Sequence, residues 1–276
     1  MSSQPQIIPP RVMGIVNATP DSFSDGGRFL APDAALAHAR RLIAEGADIL
    51  DLGAESTRPG SDPVPAEEEI ARLVPLIGAI RAESGVTISV DTMKPEVARA
   101  AVAAGADIWN DVAALRHAPD APATAAELGC EVILMHMQGE PRTMQHEPHY
   151  DDVVGEVADF LLARAEAAMA AGVARERICL DPGIGFGKHM IRHNVPLMGA
   201  LDRIVALGFP VLLGASRKSF IGALSGGAAP DHRLGGSIAA ALAGAEAGVA
   251  AVRVHDVAET TQALTVWAAI RAAREA

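Results

Sequence analysis

The sequence predicts an α/β fold, a single (β/α)8 TIM barrel, in which parallel strands alternate with helices along the chain. Apolar segments of strand length recur eight times, and each is followed by a loop and an Ala- and Leu-rich segment with helical periodicity. The chain has 276 residues, and such a barrel typically takes about 250. No break in composition divides the sequence, so we expect one barrel domain over residues 1–276.

Each predicted strand is a short apolar run that ends at a turn or a polar residue. Aromatic residues make up only 3% of the chain, which leaves the packing to Ala, Leu, Val and Ile and suits helices that lie close to a sheet. The predicted strands are Val12–Val16, Ala47–Leu52, Thr87–Val90, Asp107–Trp109, Glu131–Met135, Ile178–Leu180, Pro210–Leu213 and Ala250–Val254.

Start and stop signals mark the helices between these strands. Pro95 precedes an Ala-rich run that ends at Gly105, and Pro32 opens a similar run that ends at Gly46. Pro65 stands before a segment that begins with three glutamates. Proline in the first turn and glycine just after the last residue are common helix boundaries, so each run is predicted to be a helix.

Each of the eight predicted strands has a polar residue at or beside its carboxyl end. A single Asp or Asn at such a place usually forms a turn or caps a helix. Eight cases in eight strands point to function instead, because the carboxyl ends of barrel strands converge on the face that carries the active site. The residues are Asn17, Asp51, Asp91, Asn110 with Asp111, His136, Asp181, Ser216-Arg217-Lys218, and Arg253 with His255.

The segment Ile178–Lys188 carries the clearest local signal. Its strand leads into Asp181, and Pro182-Gly183 then ends the strand, so the carboxylate is expected at the strand's tip, where it can meet a ligand. The glycines that follow fit neither the phosphate-binding P-loop nor the dinucleotide-binding pattern. We interpret them as a flexible lip beside the acid, with Phe186 as its large apolar side chain.

Charge and composition exclude several classes of function. The net charge of −11 argues against general binding to nucleic acid or to anionic membranes. Cys130 and Cys179 lie in apolar runs, as buried thiols of a reducing compartment do, so a cytoplasmic location is expected. The first ten residues lack a signal peptide's basic and apolar regions, and the apolar window Leu234–Val252 is interpreted as a buried helix and a strand.

Longer motifs give the chain a family resemblance. They run from the first predicted strand to the eighth and stand in one order: Met13–Gly27, Glu55–Gly60, Asp91–Pro95, Asn110-Asp111, Met135–Gly139, Asp181–Lys188, Ser216–Ser219 and Arg253–Asp256. In these motifs the chain resembles the dihydropteroate synthases of folate biosynthesis. The resemblance implies a transferase that joins 6-hydroxymethyl-7,8-dihydropterin pyrophosphate to p-aminobenzoate, releasing pyrophosphate.

The resemblance also implies how the pterin would bind. Asp181 would accept hydrogen bonds from adjacent N–H donors of the pterin ring, as a carboxylate does from a guanidinium group. Asp91 and Asn110 would bind the remaining ring edge, Met135 would pack against the ring face, and Lys218 would donate to ring acceptors. Arg253 belongs to the same implied pterin site.

The leaving pyrophosphate would account for cations on an acidic protein. By the resemblance, Arg58 and Arg253 would bind phosphate oxygens, with His255 beside them. Asn17 and Asp25 resemble the family's Mg²⁺ ligands, and the metal would offset charge as the C–O bond breaks. We expect a dissociative displacement, in which the pyrophosphate departs before the aniline nitrogen attacks.

The implied aminobenzoate site draws on three loops. It consists of Phe23, Thr57, Arg58, Pro59, Phe186 and Ser219, with Ser219 near a helix start that would favour the carboxylate. Sulfonamides mimic this substrate, so inhibition is expected. The family is usually dimeric, and the helices Leu234–Gly244 and Ala258–Ala273 are the expected places for a homodimer contact because their small residues permit close approach.

Two other functions stay open. A pterin-dependent methyltransferase that passes a folate methyl group to a corrinoid would share the barrel and the acids, but would not need Arg58 or Ser219. A non-catalytic pterin-binding paralogue would be expected to lose part of the first loop, which is intact here from Asn17 to Gly27. His189 and His193 are four residues apart, yet a zinc protease motif would need Glu where Met190 stands.

Overall fold

The computed structural model describes residues 8–18, 31–55, 64–139 and 143–274. Within these residues eight strands are separated by helices as the sequence predicts, and two helices in succession lie between the sixth and seventh strands and again between the seventh and eighth. The strands are β1 (Arg11–Asn17), β2 (Ile49–Gly53), β3 (Thr87–Asp91), β4 (Ile108–Asp111), β5 (Glu131–Met135), β6 (Ile178–Asp181), β7 (Leu212–Leu213) and β8 (Ala251–Val254).

The helices lie between the strands and after the last one. They are α1 (Ala31–Ala44), α2 (Ala66–Glu83), α3 (Pro95–Ala104), α4 (Ala121–Leu128), α5 (Val153–Ala170), α6 (Asn194–Gly199), α7 (Leu201–Val205), α8 (Ser219–Leu224), α9 (Leu234–Ala247) and α10 (Val257–Arg274). Helix α3 shows the predicted boundaries, with Pro95 as its first residue and Gly105 in the left-handed conformation at its end. No helix among the described residues has the length and apolar character needed to cross a membrane.

Every strand pair is parallel, and the ring closes. The hydrogen-bonded order is β6-β5-β4-β3-β2-β1-β8-β7. A parallel bridge between Leu180 and Val211 joins the two ends, and the N–H of Leu180 donates to the carbonyl of Pro210 at 2.9 Å. The predicted (β/α)8 barrel is therefore confirmed.

Strand β7 is shorter than the predicted Pro210–Leu213. Proline has no N–H group to donate to a neighbouring strand, so Pro210 contributes only its carbonyl oxygen at this seam. Strand β2, in contrast, continues past Asp51 to Gly53, which places Asp51 in the middle of the strand rather than at its end.

Two apolar layers follow from the alternation of side chains along each strand. One large layer packs between the sheet and the surrounding helices and includes Val12, Leu50 and Leu134. A separate cluster consists of Met13, Ile49, Ile108, Ile133, Leu212 and Ala251, with Cys179 against it. These residues alternate with the first set, so they fill the barrel interior. Two residues further toward the carboxyl ends, four of these strands place a polar residue, namely Asp51, Asn110, Asp181 and Arg253, and this layer carries the site.

Candidate active site

One cavity lies at the carboxyl ends of the strands, on the face predicted from the sequence. Its lining mixes charged, polar and apolar side chains from seven of the eight strands or the loops that follow them. The lining residues are Ile15, Asp91, Asn110, Val112, Met135, Asp181, Gly183, Ile184, Phe186, Gly214, Ser216, Lys218, Arg253 and His255. The convergence of polar strand ends on one site is therefore observed.

Arg253 lies at the centre of the buried charges. Its Nε donates to Oδ2 of Asp51 at 2.6 Å, and its Nη2 donates to Oδ2 of Asp91 at 3.0 Å. Asp51 is completely buried and also accepts from the hydroxyl of Ser89 at 2.6 Å and from Nδ2 of Asn110 at 3.3 Å. Two carboxylates thus fix the guanidinium, and a buried network fixes one of those carboxylates.

Asp91 combines an altered pKa with an unused acceptor. Burial, and then the charge of neighbouring Asp51, raise the pKa of Asp91 to about 7, while Arg253 opposes the shift. Its Oδ1 is buried and has no hydrogen-bond partner among the described residues. Buried acceptors usually have a partner, so this oxygen is available to a ligand that brings an N–H or O–H group into the cavity.

Asp181 is held by the turn that follows its strand. The N–H of Gly183 donates to Oδ1 of Asp181 at 2.7 Å, and the residue is only 5% exposed. Burial raises its pKa, while the N–H of Gly183 and the charge of Lys218 act in the opposite direction. A carboxylate so fixed presents its remaining acceptor positions to the cavity in one orientation.

Lys218 and Phe186 contact each other in the cavity lining. The Lys218 ammonium lies 4.1 Å from the centre of the Phe186 ring, as in a cation–π contact. Burial, and then the charge of Arg253, lower the pKa of Lys218 to about 8. Arg217 lies outside the cavity lining, because its guanidinium pairs with Asp256 while its backbone adopts a left-handed conformation with φ of 57°.

His255 is a neutral imidazole near neutral pH. Burial, and then the charge of Arg217, lower the pKa of His255 to about 4. The Nδ1 atom lies 3.0 Å from the hydroxyl of Ser216, which also accepts from the backbone N–H of His255. With its oxygen accepting that N–H, the hydroxyl donates to Nδ1, which leaves the proton on Nε2 as a donor.

The glycine-rich lip is held in place rather than loose, contrary to the flexibility expected from its sequence. Gly183, Gly185 and Gly187 all have positive φ. A Cβ on Gly183 would lie 1.9 Å from the carbonyl oxygen of His136, so the lip packs directly on the backbone of the loop after β5. The Lys188 side chain folds inward and reaches this same loop, which the glycine spacing alone does not reveal.

The predicted site residues fall into three groups. Asp91, Asn110, Met135, Asp181, Phe186, Lys218, Arg253 and His255 line the cavity together. Asn17 is the last residue of β1 and is half-buried, while Ser219 is the first residue of α8 and is exposed; neither is among the lining residues. Phe23, Asp25, Thr57, Arg58 and Pro59 lie outside the described residues.

Three residues of this site were not assigned a role from the sequence. Asp51 and Ser89 form the network beneath Arg253, and Lys188 ties the lip to the barrel. Asp51 is among the polar residues named at the strand ends, but its pairing with Arg253 appears only in the folded barrel. Nothing in the local sequence marks Lys188 as buried.

The described residues contain no group of three or more His, Cys, Asp or Glu side chains that could hold a metal ion. Asn17 offers one amide oxygen at the carboxyl end of β1. A magnesium site often takes only one or two protein oxygens and completes its shell with water and substrate phosphates. The oxygen of Asn17 suits that kind of site.

Comparisons with known proteins agree with this geometry. A family model described as pterin binding enzyme matches residues 13–255. A dihydropteroate synthase from Neisseria meningitidis serogroup B is 52% identical over 266 residues, which cover 95% of this chain and 93% of the relative.

Solved structures show the same similarity. A dihydropteroate synthase from Xanthomonas albilineans in complex with 7,8-dihydropteroate has a TM-score of 0.86 and 50% identity, covering 96% of this chain and 95% of that one. A Yersinia pestis dihydropteroate synthase with a sulfonamide drug complex has a TM-score of 0.89 and 44% identity, covering 96% and 95%. The chain therefore belongs to the pterin binding enzyme family, among the dihydropteroate synthases.

Proposed function

We propose that this protein joins 6-hydroxymethyl-7,8-dihydropterin pyrophosphate to p-aminobenzoate, giving 7,8-dihydropteroate and pyrophosphate in folate biosynthesis. The observation that carries the proposal is the single cavity in which fixed carboxylates, Asp181 and Asp91, face the cations Lys218 and Arg253. The similar synthase from Xanthomonas albilineans, solved with 7,8-dihydropteroate, supports the same substrate pair.

The acids suit the pterin ring. Adjacent N–H groups of the ring would donate to the Asp181 carboxylate, whose Oδ1 is already oriented by Gly183. The unpaired Oδ1 of Asp91 would accept a further N–H, and Lys218 would donate to a ring acceptor. A ring without those donors would leave buried carboxylates unpaired, so we propose strict selection of pterins.

The cations suit the pyrophosphate. Arg253 donates from Nε to Asp51 and from Nη2 to Asp91. Its other N–H groups have no hydrogen-bond partner among the described residues. They would donate to phosphate oxygens together with Nε2 of neutral His255. Arg58, outside the described residues, is proposed as a further phosphate ligand. Fixed donors of this kind stabilise the charge that builds on a leaving group.

Mg²⁺ is proposed as the cofactor, held by Asn17, by Asp25 from the first loop and by the pyrophosphate. When bound it would neutralise charge on the departing phosphate oxygens. Asp181 and Lys218 would orient the pterin ring, and Arg253 would bind the phosphate groups. We propose a dissociative displacement, in which the C–O bond to pyrophosphate breaks before the aniline nitrogen forms its C–N bond and loses a proton.

The aminobenzoate is proposed to bind between Phe186, which lines the cavity, and Ser219 at the first residue of α8. Phe23, Thr57, Arg58 and Pro59 would complete this site from the two loops outside the described residues. Sulfonamides would compete for it, as the Yersinia pestis synthase with a sulfonamide supports. Competition is tested by inhibition kinetics with aminobenzoate varied; a sulfonamide that is not competitive would contradict the shared site.

A homodimer is proposed through α9 and α10. Val266 and Ile270 are 53% and 50% exposed on α10, and they line a groove with Leu242 and Trp267. Large exposed apolar side chains side by side are typical of an interface. Sedimentation of the wild type and of Ile270→Glu is the test: a dimer that the substitution converts to monomer supports the proposal, and a monomeric wild type contradicts it.

A cytoplasmic location remains a proposal that rests on the two unpaired cysteines, Cys130 and Cys179.

The main experiment measures pyrophosphate release by the purified protein with the dihydropterin pyrophosphate and Mg²⁺, with and without p-aminobenzoate. Release that depends on aminobenzoate and is lost in Asp181→Ala and Lys218→Ala is the expected result. Asp159→Ala, an exposed aspartate on α5, is the matched control and should keep wild-type activity. Binding of the pterin substrate without release would contradict the proposal and favour the methyltransferase or the non-catalytic binding protein.

A further inference from the structure

The lip from Gly183 to Lys188 connects the barrel to both proposed substrate sites. Gly183, Ile184 and Phe186 line the cavity. The N–H of Gly183 orients the Asp181 carboxylate, and the Phe186 ring lies beneath the Lys218 ammonium at 4.1 Å. Any movement of the lip would therefore displace a proposed pterin contact and a proposed aminobenzoate contact together.

Four side chains hydrogen-bond the backbone of this lip: Gln145, Tyr150, Asn194 and Lys188. Lys188 is only 1% exposed, although it carries a primary amine. Its Nζ lies 2.9 Å from the carbonyl oxygen of Gly183, 3.1 Å from that of Phe186 and 2.8 Å from Nδ1 of His136. Burial lowers the pKa of Lys188 to about 7, so the amine is charged below that pH. The ammonium then has three N–H donors for these three acceptors and for the carbonyl oxygen of His136 at 3.4 Å.

The partner on the barrel side is suited to accept. Burial, and then the charge of Lys188, lower the pKa of His136 to about 2, which keeps its imidazole neutral. The ring is fixed by an edge contact with Phe160, at 4.8 Å between ring centres. With Lys188 donating to Nδ1, the proton of the ring stays on Nε2. The ammonium thus bonds the beginning and the middle of the lip to a rigid acceptor on the loop after β5.

We propose that Lys188 is a positioning residue of this enzyme, whose ammonium fixes the lip so that Asp181 and Phe186 are presented to the two substrates. Lys188 does not line the cavity and acts through the backbone of Gly183 and Phe186. The inference rests on the proposed synthase function for the identity of those substrates. Its structural part, the control of the lip by a buried cation, stands on the geometry alone.

The test compares Lys188→Met, which keeps the length of the side chain but removes its donors, with wild type. The KM for aminobenzoate is expected to rise by about 10-fold or more, as loss of a hydrogen bond from a charged group allows. The kcat at saturating substrate should stay within about threefold, because Arg253 and His255 are not touched by the lip lysine. A residue that served stability alone would lower Tm and leave KM unchanged.

A pair of His136 variants keeps the test decisive if Lys188→Met does not fold. His136→Asn places an amide oxygen close to the position of Nδ1, so its KM for aminobenzoate should stay near the wild-type value. His136→Leu removes the acceptor, so its KM for aminobenzoate should rise. The proposal would be overturned if these two variants had equal KM values for aminobenzoate, or if folded Lys188→Met kept the wild-type KM for aminobenzoate.

Calorimetric binding of a free pterin separates this proposal from the proposed function. If the wild type released no pyrophosphate, the synthase function would fail, but a weaker pterin affinity in Lys188→Met would still support the role of the lip. Equal pterin affinities in the two proteins would then overturn it.

Discussion

The Nε of Arg253 donates to Oδ2 of Asp51 at 2.6 Å, a bond that runs from the eighth strand across the first to the second, inside the barrel mouth. Asp51 is completely buried and makes no contribution to the cavity lining. Its role is to fix the arginine that the proposed reaction uses, while Asp91 on the third strand holds the same guanidinium from the other side.

Replacing Asp51 should therefore lower kcat, although Asp51 does not line the cavity. In Asp51→Ala, Arg253 keeps only Asp91 as its carboxylate partner, and we expect kcat to fall by about 100-fold, the loss that a small misplacement of a reacting group can produce. Ser89→Ala is the matched control, since it removes one hydroxyl donor to the same carboxylate and leaves the pair of Asp51 and Arg253 in place. Steady-state pyrophosphate release measures both; a kcat near wild type in Asp51→Ala would contradict the role.

The pH profile should report the ammonium of Lys218. Its pKa is lowered to about 8 by burial, so the charged donor is present below that pH and is lost above it. We expect kcat/KM for the pterin substrate to fall as pH rises through about 8. Lys218→Arg stays protonated and should move this decline to higher pH. An unchanged decline in the arginine variant would assign it to another group, such as Lys188, whose pKa burial lowers to about 7.

Lys94 should contribute strongly to stability outside the cavity. It pairs with Glu55 at 2.5 Å and with the fully buried Glu69, which also accepts from the hydroxyl of Thr92 at 3.0 Å. Lys94→Met would leave two carboxylates without their cation, and the free energy of unfolding should fall by about 3–5 kcal/mol.

The control is Arg99→Met, because Arg99 and Glu127 form an exposed ion pair. Arg99→Met should lower the free energy of unfolding by less than about 1 kcal/mol. Urea unfolding at neutral pH measures both values. Equal losses in the two variants would mean that the buried carboxylates do not depend on Lys94.

Gly183 should not tolerate a side chain. Its φ is 66°, and a Cβ would meet the carbonyl oxygen of His136 at 1.9 Å, so Gly183→Ala must displace the lip that orients Asp181. We expect kcat/KM to fall by about 100-fold. Gly129→Ala is the control, since its φ of 59° carries similar strain but nothing lies within 4 Å of the added carbon.

The control variant Gly129→Ala should lose about 1–2 kcal/mol in its free energy of unfolding and keep its activity. Activity assays and thermal unfolding of both variants distinguish strain from displacement. An active Gly183→Ala enzyme would show that the lip can shift without consequence for the site.

Much of this molecule follows from its sequence. The repeated order of apolar run, loop and helical segment predicts the barrel, because each strand and each helix must bury one face against the other. The polar residues after the strands predict the location of the site, because parallel strands bring their carboxyl ends to one face. Asp91, Asn110, Asp181, Lys218 and Arg253 do meet in one cavity as expected.

Other features depend on contacts that no local pattern contains. Asp51 and Arg253 are far apart in the chain, and only closure of the barrel makes them partners. In the sequence nothing distinguishes Lys188 from an exposed loop lysine. Its amine is buried because the lip packs against His136. The sequence by itself determined the order of the strands and the chemical groups at their ends, because periodicity and turn residues are local. Only the tertiary structure decided which charges are buried and paired, because burial depends on what distant segments pack against.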